Sequence, residues 1–418
     1  MGTILEYMNN FDLIVIGGGP AGLMAAGQAA ELGSSVLLLE KNHNLGVKLL
    51  MTGGGRCNFT NKIPPRTLAD AFGANGKWLL SGLTRFGSNE VISFFKSKGL
   101  KVKVEANGRV FPESDNANDL LTLLLEHAKK NGVTIRTGSS VLRLEDDNGR
   151  IQSVVLRDGT TLRANKYIIA TGGRSYPTSG STGDAYDWLR ALAHRVIKPR
   201  PALSPILLND DIKELQGISL SEIELRLFQG DKKLGSAIGD IIFTGSGLSG
   251  PAALNISRVI ARHPGVELEV RIDFLPLVNQ QVLEQNILAL TQENKNHDLK
   301  NIISELVPKK LAIHLLSVAG INSDKKGNGL SKAERQALAR TLKSYAVSVK
   351  GLRGFEEAMI TVGGVDLREV DPKTMGSKLF NNLYFAGEIL DLEGPTGGYN
   401  LQVAWTSGYI AGENAAKA

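Results

Sequence analysis

The chain has 418 residues, of which 42% are apolar, and a net charge of +6. This length suits two or three globular domains that fold without covalent cross-links. The only cysteine, Cys57, excludes an intramolecular disulfide and favours a reducing compartment, so we expect a cytoplasmic protein. No apolar stretch is long enough to span a membrane, and residues 1–10 lack the features of a signal peptide and are interpreted as a short mobile lead-in.

Residues 11–40 predict a strand, a glycine turn, a helix and a second strand that ends in an acid. In this pattern Gly17 allows a tight turn, Gly19 lets a pyrophosphate approach the backbone, and Gly22 lets the helix pack close to the strand. The helix N-terminus offers N–H groups to phosphates. Glu40 can accept hydrogen bonds from an adenosine ribose. We therefore predict an adenine dinucleotide here rather than a merely structural glycine turn.

The following segments predict a second set of elements around that nucleotide. Three consecutive glycines in residues 51–61 (MTGGGRCNFTN) leave a bare backbone, against which we expect a flat ring system to lie. Residues 115–131 predict an amphipathic helix, and residues 133–170 predict a hairpin meander and an apolar strand that ends in Ala-Thr-Gly-Gly. Flavoproteins that bind two nucleotides place such a meander beside the dinucleotide.

The middle of the chain predicts an inserted domain that is first β and then α. Prolines 199, 201 and 205 mark its start, and short strands alternate over residues 203–275. Helices are predicted over residues 280–292, 299–319 and 331–348. Residues 382–416 then predict a strand, a glycine loop and a helix that rejoin the first sheet. The expected domains are residues 1–198 and 351–418 for the nucleotide and residues 199–350 for the insert.

The last segment distinguishes FAD from NAD. The stretch Gly-Gly-Tyr-Asn-Leu-Gln at 397–402 opens a helix, whose N-terminus would stabilise negative charge on a reduced flavin ring. Glu388 follows a strand end, where it would meet the ribityl and phosphate portion of a flavin dinucleotide. FAD therefore accounts for both ends of the chain with one molecule, whereas NAD accounts only for the first.

A basic band between residues 41 and 103 suggests a polyanion such as RNA. Its cations are Lys41, Lys48, Arg56, Lys62, Arg66, Lys77, Arg85, Lys96, Lys98, Lys101 and Lys103. Its aromatic residues are Phe59, Phe72, Trp78, Phe86, Phe94 and Phe95. Cations with stackable rings suit RNA. The alternative, which stays open, is a solvated basic face whose aromatic residues lie in the core.

Several motifs together resemble one family. They are GGGRCNFTN, GRVFPES, FTGSGLSGP, ITVGGVD with DPKTM, and FAGEILD with GPTGGYNLQ. In this order, from residue 12 to about 416, the chain is similar to the BaiN/YhiN-type flavoproteins, whose members are also described as aminoacetone-oxidase-like. The resemblance implies an α/β fold in which a glutathione-reductase-like FAD-binding Rossmann domain is interrupted by a β-barrel plus helical domain that would bind the substrate.

The motifs and the resemblance together give the candidate site residues. Those expected to bind FAD are Gly17, Gly19, Pro20, Ala21, Gly22, Glu40, Lys41, Lys48, Gly54, Gly55, Val141, Thr171, Gly172, Gly387, Glu388, Gly398, Tyr399, Asn400 and Leu401. Those expected to serve catalysis are Arg56, Cys57, Asn58 and Tyr399, with Tyr399 or Arg56 plus water as proton donor. For Cys57 a small packing role is the stronger interpretation. The six histidines show no metal-ligand spacing, so no metal is expected.

Two further features concern the insert. Residues 245–250 (GSGLSG) form a literal G-x-G-x-x-G that could bind a nicotinamide cofactor, with Glu267 or Glu269 as the acid, although those glutamates fall near the start of their strand. Many relatives carry a histidine where this chain has Gly245, so an acid used there would have to be replaced by another group.

The resemblance implies several substrate classes. Relatives resemble reductases of conjugated enones, oxidases of small amines, and enzymes that reduce a uridine of ribosomal RNA to dihydrouridine. We expect an FAD-dependent oxidoreductase with NADH or NADPH as a transient electron donor. The basic band favours ribosomal RNA over a small-molecule substrate. A non-catalytic RNA-binding module that holds FAD as a structural group is the remaining alternative.

Overall fold

The computed structural model describes residues 11–416. The lead-in expected over residues 1–10 lies outside the described residues. The chain divides into two compact units: one contains the chain up to Pro201 and again from Ala358, and the other is Ala202–Glu357. Both ends of the second unit fall slightly later in the chain than the insert boundaries expected at 199 and 350.

The first segment builds most of the first unit. Its strands are β1 (Phe11–Ile16), β2 (Val36–Leu39), β3 (Thr60–Asn61), β4 (Val102–Val104), β5 (Arg109–Pro112), β6 (Thr134–Arg136), β7 (Val141–Asp147), β8 (Arg150–Leu156), β9 (Thr161–Leu162), β10 (Ala164–Ile169) and β11 (Val196–Ala202). Its helices are α1 (Pro20–Glu31), α2 (Val47–Leu50), α3 (Pro65–Asp70), α4 (Gly76–Arg85), α5 (Ser88–Ser97), α6 (Ala117–Lys130) and α7 (Asp184–Ala191).

The insert contains a closed barrel and a group of helices. Its strands are β12 (Ile206–Leu208), β13 (Ser219–Gln229), β14 (Lys232–Thr244), β15 (Gly247–Ser249), β16 (Glu269–Asp273) and β17 (Tyr345–Leu352). Its helices are α8 (Pro251–Arg262), α9 (Gln280–Glu293), α10 (Leu299–Ile302), α11 (Lys309–Val318) and α12 (Lys332–Lys343). The barrel closes in the order β12-β15-β14-β13-β16-β17.

The helix predicted over residues 331–348 is wrong in its last turn, because α12 ends at Lys343 and β17 follows at once. Tyr345 pairs with Ile272 of β16, and Leu352 pairs with Ile206 of β12, so β17 completes the barrel. Tyr345 and Val347 are buried while the residues between and after them are exposed, which is the period of a strand. Pairing with two neighbours outweighs the local helical pattern here.

The last segment returns to the first unit with β18 (Ile360–Val365), β19 (Leu383–Phe385) and α13 (Tyr399–Ala416). The central sheet has the order β19-β10-β1-β2-β6, and all its strands run parallel. An antiparallel β7-β8-β9 meander and a small β3-β5-β4 sheet accompany it. The order therefore reverses between β1 and β10, where open parallel sheets bind their ligands.

Helix α13 packs unusually close to α1. A Cβ added at Gly408 would lie 2.5 Å from the Ala21 carbonyl oxygen, and one added at Gly412 would lie 2.4 Å from that of Ala25. The two backbones therefore touch through glycines, as happens where small residues line a helix interface. This contact joins the beginning of the chain to its end.

Within residues 11–416, none of the helices combines the length and the apolar character needed to cross a membrane.

Replacement of Gly412 by alanine should destabilise the protein. In an ordinary helix this change stabilises by up to about 1 kcal/mol, because glycine has the larger backbone entropy. Here the new methyl group would overlap the Ala25 backbone, so we expect a loss of about 1–3 kcal/mol instead. Urea unfolding of the wild type and the variant measures the sign, and a stabilised variant would contradict the close contact.

Candidate functional site

A cleft opens beyond the carboxyl ends of the central parallel strands. Its lining includes residues that follow β1, β2, β10 and β19, and its volume is about 1020 Å³ including the mouth that is open to solvent. This is the crevice that the reversal of strand order predicts. The first turn of α13 also lines it, so the two ends of the chain meet at one cleft.

The glycine turn after β1 has the shape that its sequence predicts. Gly17 has a φ of +111°, and a Cβ there would lie 2.4 Å from the Ala170 carbonyl oxygen. A Cβ at Gly22 would lie 1.9 Å from the Gly17 carbonyl oxygen, so the helix is in direct contact with the turn. A Cβ at Gly19, in contrast, would meet no protein atom within 4 Å. The bare side of Gly19 thus faces space that the protein leaves open.

The N-terminus of α1 carries no side-chain cap and has no acidic residue in its first turn. Its first N–H groups and its positive dipole end are therefore available to an anion. Together with the open space at Gly19, this arrangement suits a pyrophosphate.

Glu40 is held rigidly at the end of β2. Its Oε2 accepts a hydrogen bond from the Gly18 N–H (2.7 Å), and its Oε1 accepts one from the Asn42 N–H (2.8 Å). Each carboxylate oxygen keeps a further lone pair. Glu40 lines the cleft and can still accept a hydrogen bond from a ribose hydroxyl.

An ion pair between Lys48 and Glu388 lies at the cleft wall. Lys48 Nζ donates to Glu388 Oε2 (2.7 Å) and to Ser175 Oγ (2.6 Å). Glu388 Oε1 accepts from Ser175 Oγ (2.8 Å) and from the Thr361 N–H (2.8 Å). Among the described residues that line the cleft, Lys48 is the only lysine or arginine, and Glu388 neutralises it. The described lining therefore holds no unpaired cationic side chain.

A second ion pair fixes the loop before α7. Lys41 Nζ donates to Asp184 Oδ2 (2.6 Å) and to Thr182 Oγ1, and Asn42 Nδ2 donates to the Ser179 carbonyl (3.0 Å). Burial alone would raise the pKa of Asp184, but the hydrogen bonds from Lys41 and Thr182 outweigh it and lower that pKa. Lys41 therefore braces the loop rather than lining the cleft.

The glycine turn before α13 is also shaped by its neighbours. Gly397 and Gly398 have φ values of +112° and +94°, and a Cβ at Gly398 would lie 2.6 Å from the Thr60 carbonyl oxygen. Asn400 folds this loop, since its side chain accepts from the Gly394 N–H (2.8 Å) and donates to the Gly394 carbonyl (2.9 Å). Asn400 and Leu401 both line the cleft.

The structure gathers many of the predicted cofactor residues in the cleft lining, but not all. The lining contains Gly17, Gly19, Pro20, Ala21, Glu40, Lys48, Thr171, Gly172, Gly387, Glu388, Asn400 and Leu401. The others lie outside it, namely Gly22, Lys41, Gly54, Gly55, Val141, Gly398 and Tyr399. Three of these residues shape the site through contacts outside the lining. Gly22 and Gly398 lie against neighbouring backbone, and Lys41 pairs with Asp184.

The predicted catalytic residues also lie outside the lining. Arg56 is held by Glu105 (2.5 Å) and Asp115 (2.7 Å) and stacks 4.2 Å above the Phe111 ring. The side-chain hydrogen bonds to Glu105 and Asp115 raise the pKa of Arg56. Tyr399 is half-buried, which raises its pKa, and it meets Phe72 edge to face.

Cys57 is fully buried, and burial raises the pKa of its thiol to about 12. A thiolate nucleophile is therefore not supported, and the packing role is. Asn58 has its side-chain amide oriented so that the nitrogen donates to the Val110 and Thr60 carbonyls and the oxygen accepts from the Gly398 N–H.

Other lining residues were missed by the sequence analysis, among them Asn42, Asn44, Thr52, Ser179, Ser181, Met359, Ile360 and Leu392. Asn42, Asn44 and Thr52 follow β2, and Ser179 and Ser181 follow β10. Met359 precedes β18, Ile360 begins it, and Leu392 follows β19. Only the strand order, which local patterns do not reveal, could have identified them.

The second G-x-G-x-x-G does not form a nucleotide site. β14 and β15, on either side of residue 245, form an antiparallel pair of the barrel. A Cβ at Gly247 would lie 1.8 Å from the Ile206 carbonyl oxygen, so this glycine serves strand contact. The motif lacks the parallel β-α geometry that a dinucleotide needs, and Glu269 is the first residue of β16, as the argument against a nicotinamide site expects.

The aromatic residues of the basic band lie mainly in the core. Phe59, Phe72, Phe86 and Phe95 are buried, and Trp78 and Phe94 are partly buried. The prediction that they present stacking surfaces to RNA was wrong, and the alternative of core aromatic residues holds. Within the described part of the chain, no group of histidine, cysteine, aspartate and glutamate side chains is arranged to hold a metal ion.

The cleft fits FAD on three observations. The open side of Gly19 has room for a pyrophosphate, and the uncapped α1 N-terminus is available to an anion. Thr171 Oγ1 is buried at the cleft without a hydrogen-bond partner, although buried hydroxyl groups normally have one. The cleft also reaches from the Gly17 turn to the first turn of α13, which a dinucleotide can span.

Gly19→Ala and Gly22→Ala should separate cofactor binding from folding. The methyl group at residue 19 enters open space, so we expect a change in stability of at most about 1 kcal/mol but FAD affinity at least about tenfold weaker. The methyl group at residue 22 overlaps the Gly17 carbonyl, so that variant should lose stability without FAD as well. Thermal unfolding and FAD titration of both apoproteins measure this. Full FAD affinity in Gly19→Ala would argue against a pyrophosphate at this turn.

Cys57 should resist alkylation in the folded protein. With a pKa of about 12, roughly one thiol in ten thousand is ionised at pH 8, and the fraction rises only as the pH approaches that pKa. Iodoacetamide should therefore modify the urea-unfolded chain within minutes and leave the native chain unmodified, as read by mass spectrometry. Rapid native modification would show an accessible thiolate instead.

Comparison with known proteins places this chain in a family. The family model described as HI0933-like protein Rossmann domain matches residues 11–414. A 3-dehydro-bile acid delta(4,6)-reductase from Clostridium scindens is 32% identical over 96% of this chain and 98% of its own length. A ribosomal RNA dihydrouridine synthase from Haemophilus influenzae is 33% identical over 97% of each chain. One from Escherichia coli is 32% identical over 97% of this chain and 98% of its own.

Solved structures agree on the fold. A 3-ketosteroid-delta4-(5alpha)-dehydrogenase from Rhodococcus jostii superposes with a TM-score of 0.54 at 17% identity, covering 100% of this chain and 99% of the other. A flavocytochrome c3 fumarate reductase gives 0.52 at 16% identity, covering 98% of this chain and 78% of that one. The predicted α/β FAD-binding fold and the resemblance to the BaiN/YhiN-type proteins are thereby confirmed. The chain belongs to the HI0933-like family and is an FAD-dependent oxidoreductase.

Proposed function

We propose that the protein uses NADH or NADPH to reduce a carbon–carbon double bond conjugated to a carbonyl, with a uridine of ribosomal RNA as the leading substrate. The observation that carries the proposal is the single cleft at which the Gly17 turn and the first turn of α13 meet. When bound there, FAD supplies hydride transfer from the nicotinamide donor to the substrate.

The names of the relatives support this class of reaction. The Haemophilus and Escherichia proteins are named for the synthesis of dihydrouridine in ribosomal RNA, and the Clostridium protein is named as a reductase of a bile acid. All these names describe the reduction of a double bond. The similarity to each covers nearly the whole chain, so the shared chemistry is a stronger inference than either substrate.

The backbone supplies the electrostatics of the site. The first turn of α13 lines the cleft, and its N–H groups would stabilise negative charge that develops on a reduced ring. Lys48 is neutralised by Glu388 and held by Ser175, so it contributes a fixed donor rather than free charge.

Tyr399 is the proposed proton donor. Its phenol carries a proton at neutral pH, and although Tyr399 itself lies outside the cleft lining, it directly precedes Asn400, which lines the cleft. Arg56 is less suited, because Glu105 and Asp115 hold its guanidinium and raise its pKa. Tyr399→Phe should therefore slow reoxidation of the reduced protein by substrate more than reduction by NAD(P)H.

Exposed cations support an RNA substrate. Within residues 11–416, Lys62, Arg66, Lys77, Lys96 and Lys101 are exposed and form no ion pair. Phosphate contacts release counterions, so RNA binding would weaken steeply with salt. The buried aromatic residues of the same segment argue for the second candidate, a small conjugated enone, because base stacking is not available from them.

Anaerobic stopped-flow absorbance tests the reaction. NADH or NADPH should bleach the yellow protein, and unmodified ribosomal RNA should restore the colour and acquire dihydrouridine detectable by mass spectrometry. Reoxidation by cyclohexenone alone would favour the second candidate. Reoxidation by neither would overturn the proposal. Gly19→Ala serves as the control that folds but binds FAD more weakly.

Charge removal tests the RNA surface. Lys77→Ala and Lys96→Ala should each weaken RNA binding uniformly across sequences and reduce the slope of log affinity against log salt by about 1. Lys232→Ala, on exposed β14 of the barrel, is a matched control in the other unit. Equal binding by all variants, with no salt dependence, would exclude this surface.

A further inference from the structure

Four consecutive residues after Cys57 each bond to α13 or to the glycine turn before it. We call residues 58–61 (NFTN) the brace. Its bonds are Asn58 Oδ1 from the Gly398 N–H (3.3 Å), the Phe59 carbonyl from Trp405 Nε1 (2.8 Å), Thr60 Oγ1 to Gln402 Oε1 (2.5 Å) and Asn61 Nδ2 to the Gly397 carbonyl (3.3 Å). A short segment from early in the sequence thus runs along the start of the last helix.

The brace is anchored in the core. Phe59 and Thr60 are completely buried, and Asn61 is 4% exposed. Thr60 pairs with Val110 across β3 and β5, so the brace is part of a sheet. A Cβ at Gly398 would lie only 2.6 Å from the Thr60 carbonyl oxygen, so the turn packs directly against the brace. The position of the turn therefore follows the position of the brace.

The brace touches the cleft only through that turn. Asn58 and Asn61 do not line the cleft, whereas Asn400 and Leu401 in the first turn of α13 do. The two asparagines hold opposite groups of the turn, one the Gly398 N–H and the other the Gly397 carbonyl. Two such bonds fix both the height and the rotation of the peptide between these glycines.

Asn61 contains a buried group that lowers the stability of the fold. Its Oδ1 is buried without a hydrogen-bond partner, and an unsatisfied buried acceptor costs free energy. Its Nδ2 meanwhile donates to the Gly397 and Asn107 carbonyls. An unsatisfied buried group of this kind needs an explanation other than stability.

We infer that Asn58 and Asn61 are positioning residues that aim the N-terminus of α13 at the ring of bound FAD and thereby raise its reduction potential. The inference rests on the FAD-dependent activity assigned above. A helix N-terminus stabilises negative charge only within its first turn, so a small displacement of that turn weakens the effect. Because the reduced ring is more negative, this displacement destabilises the reduced ring more than the oxidised ring.

The test is the reduction potential of bound FAD, measured by anaerobic equilibration with reference dyes. Asn58→Ala and Asn61→Ala should each lower the preference for reduced over oxidised FAD by about tenfold, which is about 30 mV for a two-electron couple. Binding of oxidised FAD should change by less than about threefold. Asn58→Ser and Asn61→Ser, which keep a short hydrogen-bonding group, should give intermediate potentials and serve if the alanine variants do not fold.

Two control variants remove brace bonds that do not reach the glycine turn. Thr60→Val loses the bond to Gln402, and Trp405→Phe loses the bond to the Phe59 carbonyl. Both should lower the unfolding temperature and leave the potential unchanged. Unchanged potentials in the asparagine variants, or equal shifts in the controls, would overturn the inference. Because the measurement needs no substrate, its failure would leave the proposed reduction of RNA untouched, and failure of that proposal would leave this inference standing.

Discussion

The contact between α1 and α13 determines where the site forms. Glycines 408 and 412 let α13 lie against the α1 backbone at Ala21 and Ala25, with no room for a Cβ at either glycine. The same approach places the first turn of α13 across the cleft from the glycine turn after β1. The insert of more than 150 residues separates the two segments of the first unit, and this contact brings them together along with the pairing of β19 with β10.

Backbone groups, rather than cationic side chains, carry the electrostatics of that site. The lining holds Glu40 and Glu388 against a single lysine, and Lys48 is already paired. A dinucleotide with two phosphate charges must therefore rely on the N–H groups and dipole of α1. At the other end, the first turn of α13 supplies the same kind of partial charge. Two helix N-termini, one from each segment of the first unit, thus lie at the cleft that is proposed to hold one cofactor.

Elements that local sequence patterns specify were predicted correctly. The β1-α1-β2 unit was predicted correctly because apolar period, glycine spacing and a terminal acid all agree over residues 11–40. The strand, glycine loop and helix of residues 382–416 were predicted for the same reason. The α13 contact with α1 could not be predicted in detail, because it depends on which small residues of two distant helices face each other.

The errors share a physical cause, which is that pairing partners lie far away in the chain. Residues 345–352 became a barrel strand because β12 and β16 bind both their edges. The aromatic residues near α4 and α5 fill the core. Asn58, predicted as catalytic, has side-chain hydrogen bonds with the Gly398 N–H and with the Val110 and Thr60 carbonyls, and local sequence patterns do not reveal these partners.

Hydrogen exchange with mass spectrometry tests most directly whether one FAD joins the two ends of the chain. Apoprotein would be compared with protein that holds FAD and with protein that holds ADP at saturating concentration. FAD should slow amide exchange both in residues 17–23 and in residues 398–404, whereas ADP should slow it only in residues 17–23. Protection by FAD that is confined to one of these segments would contradict the account.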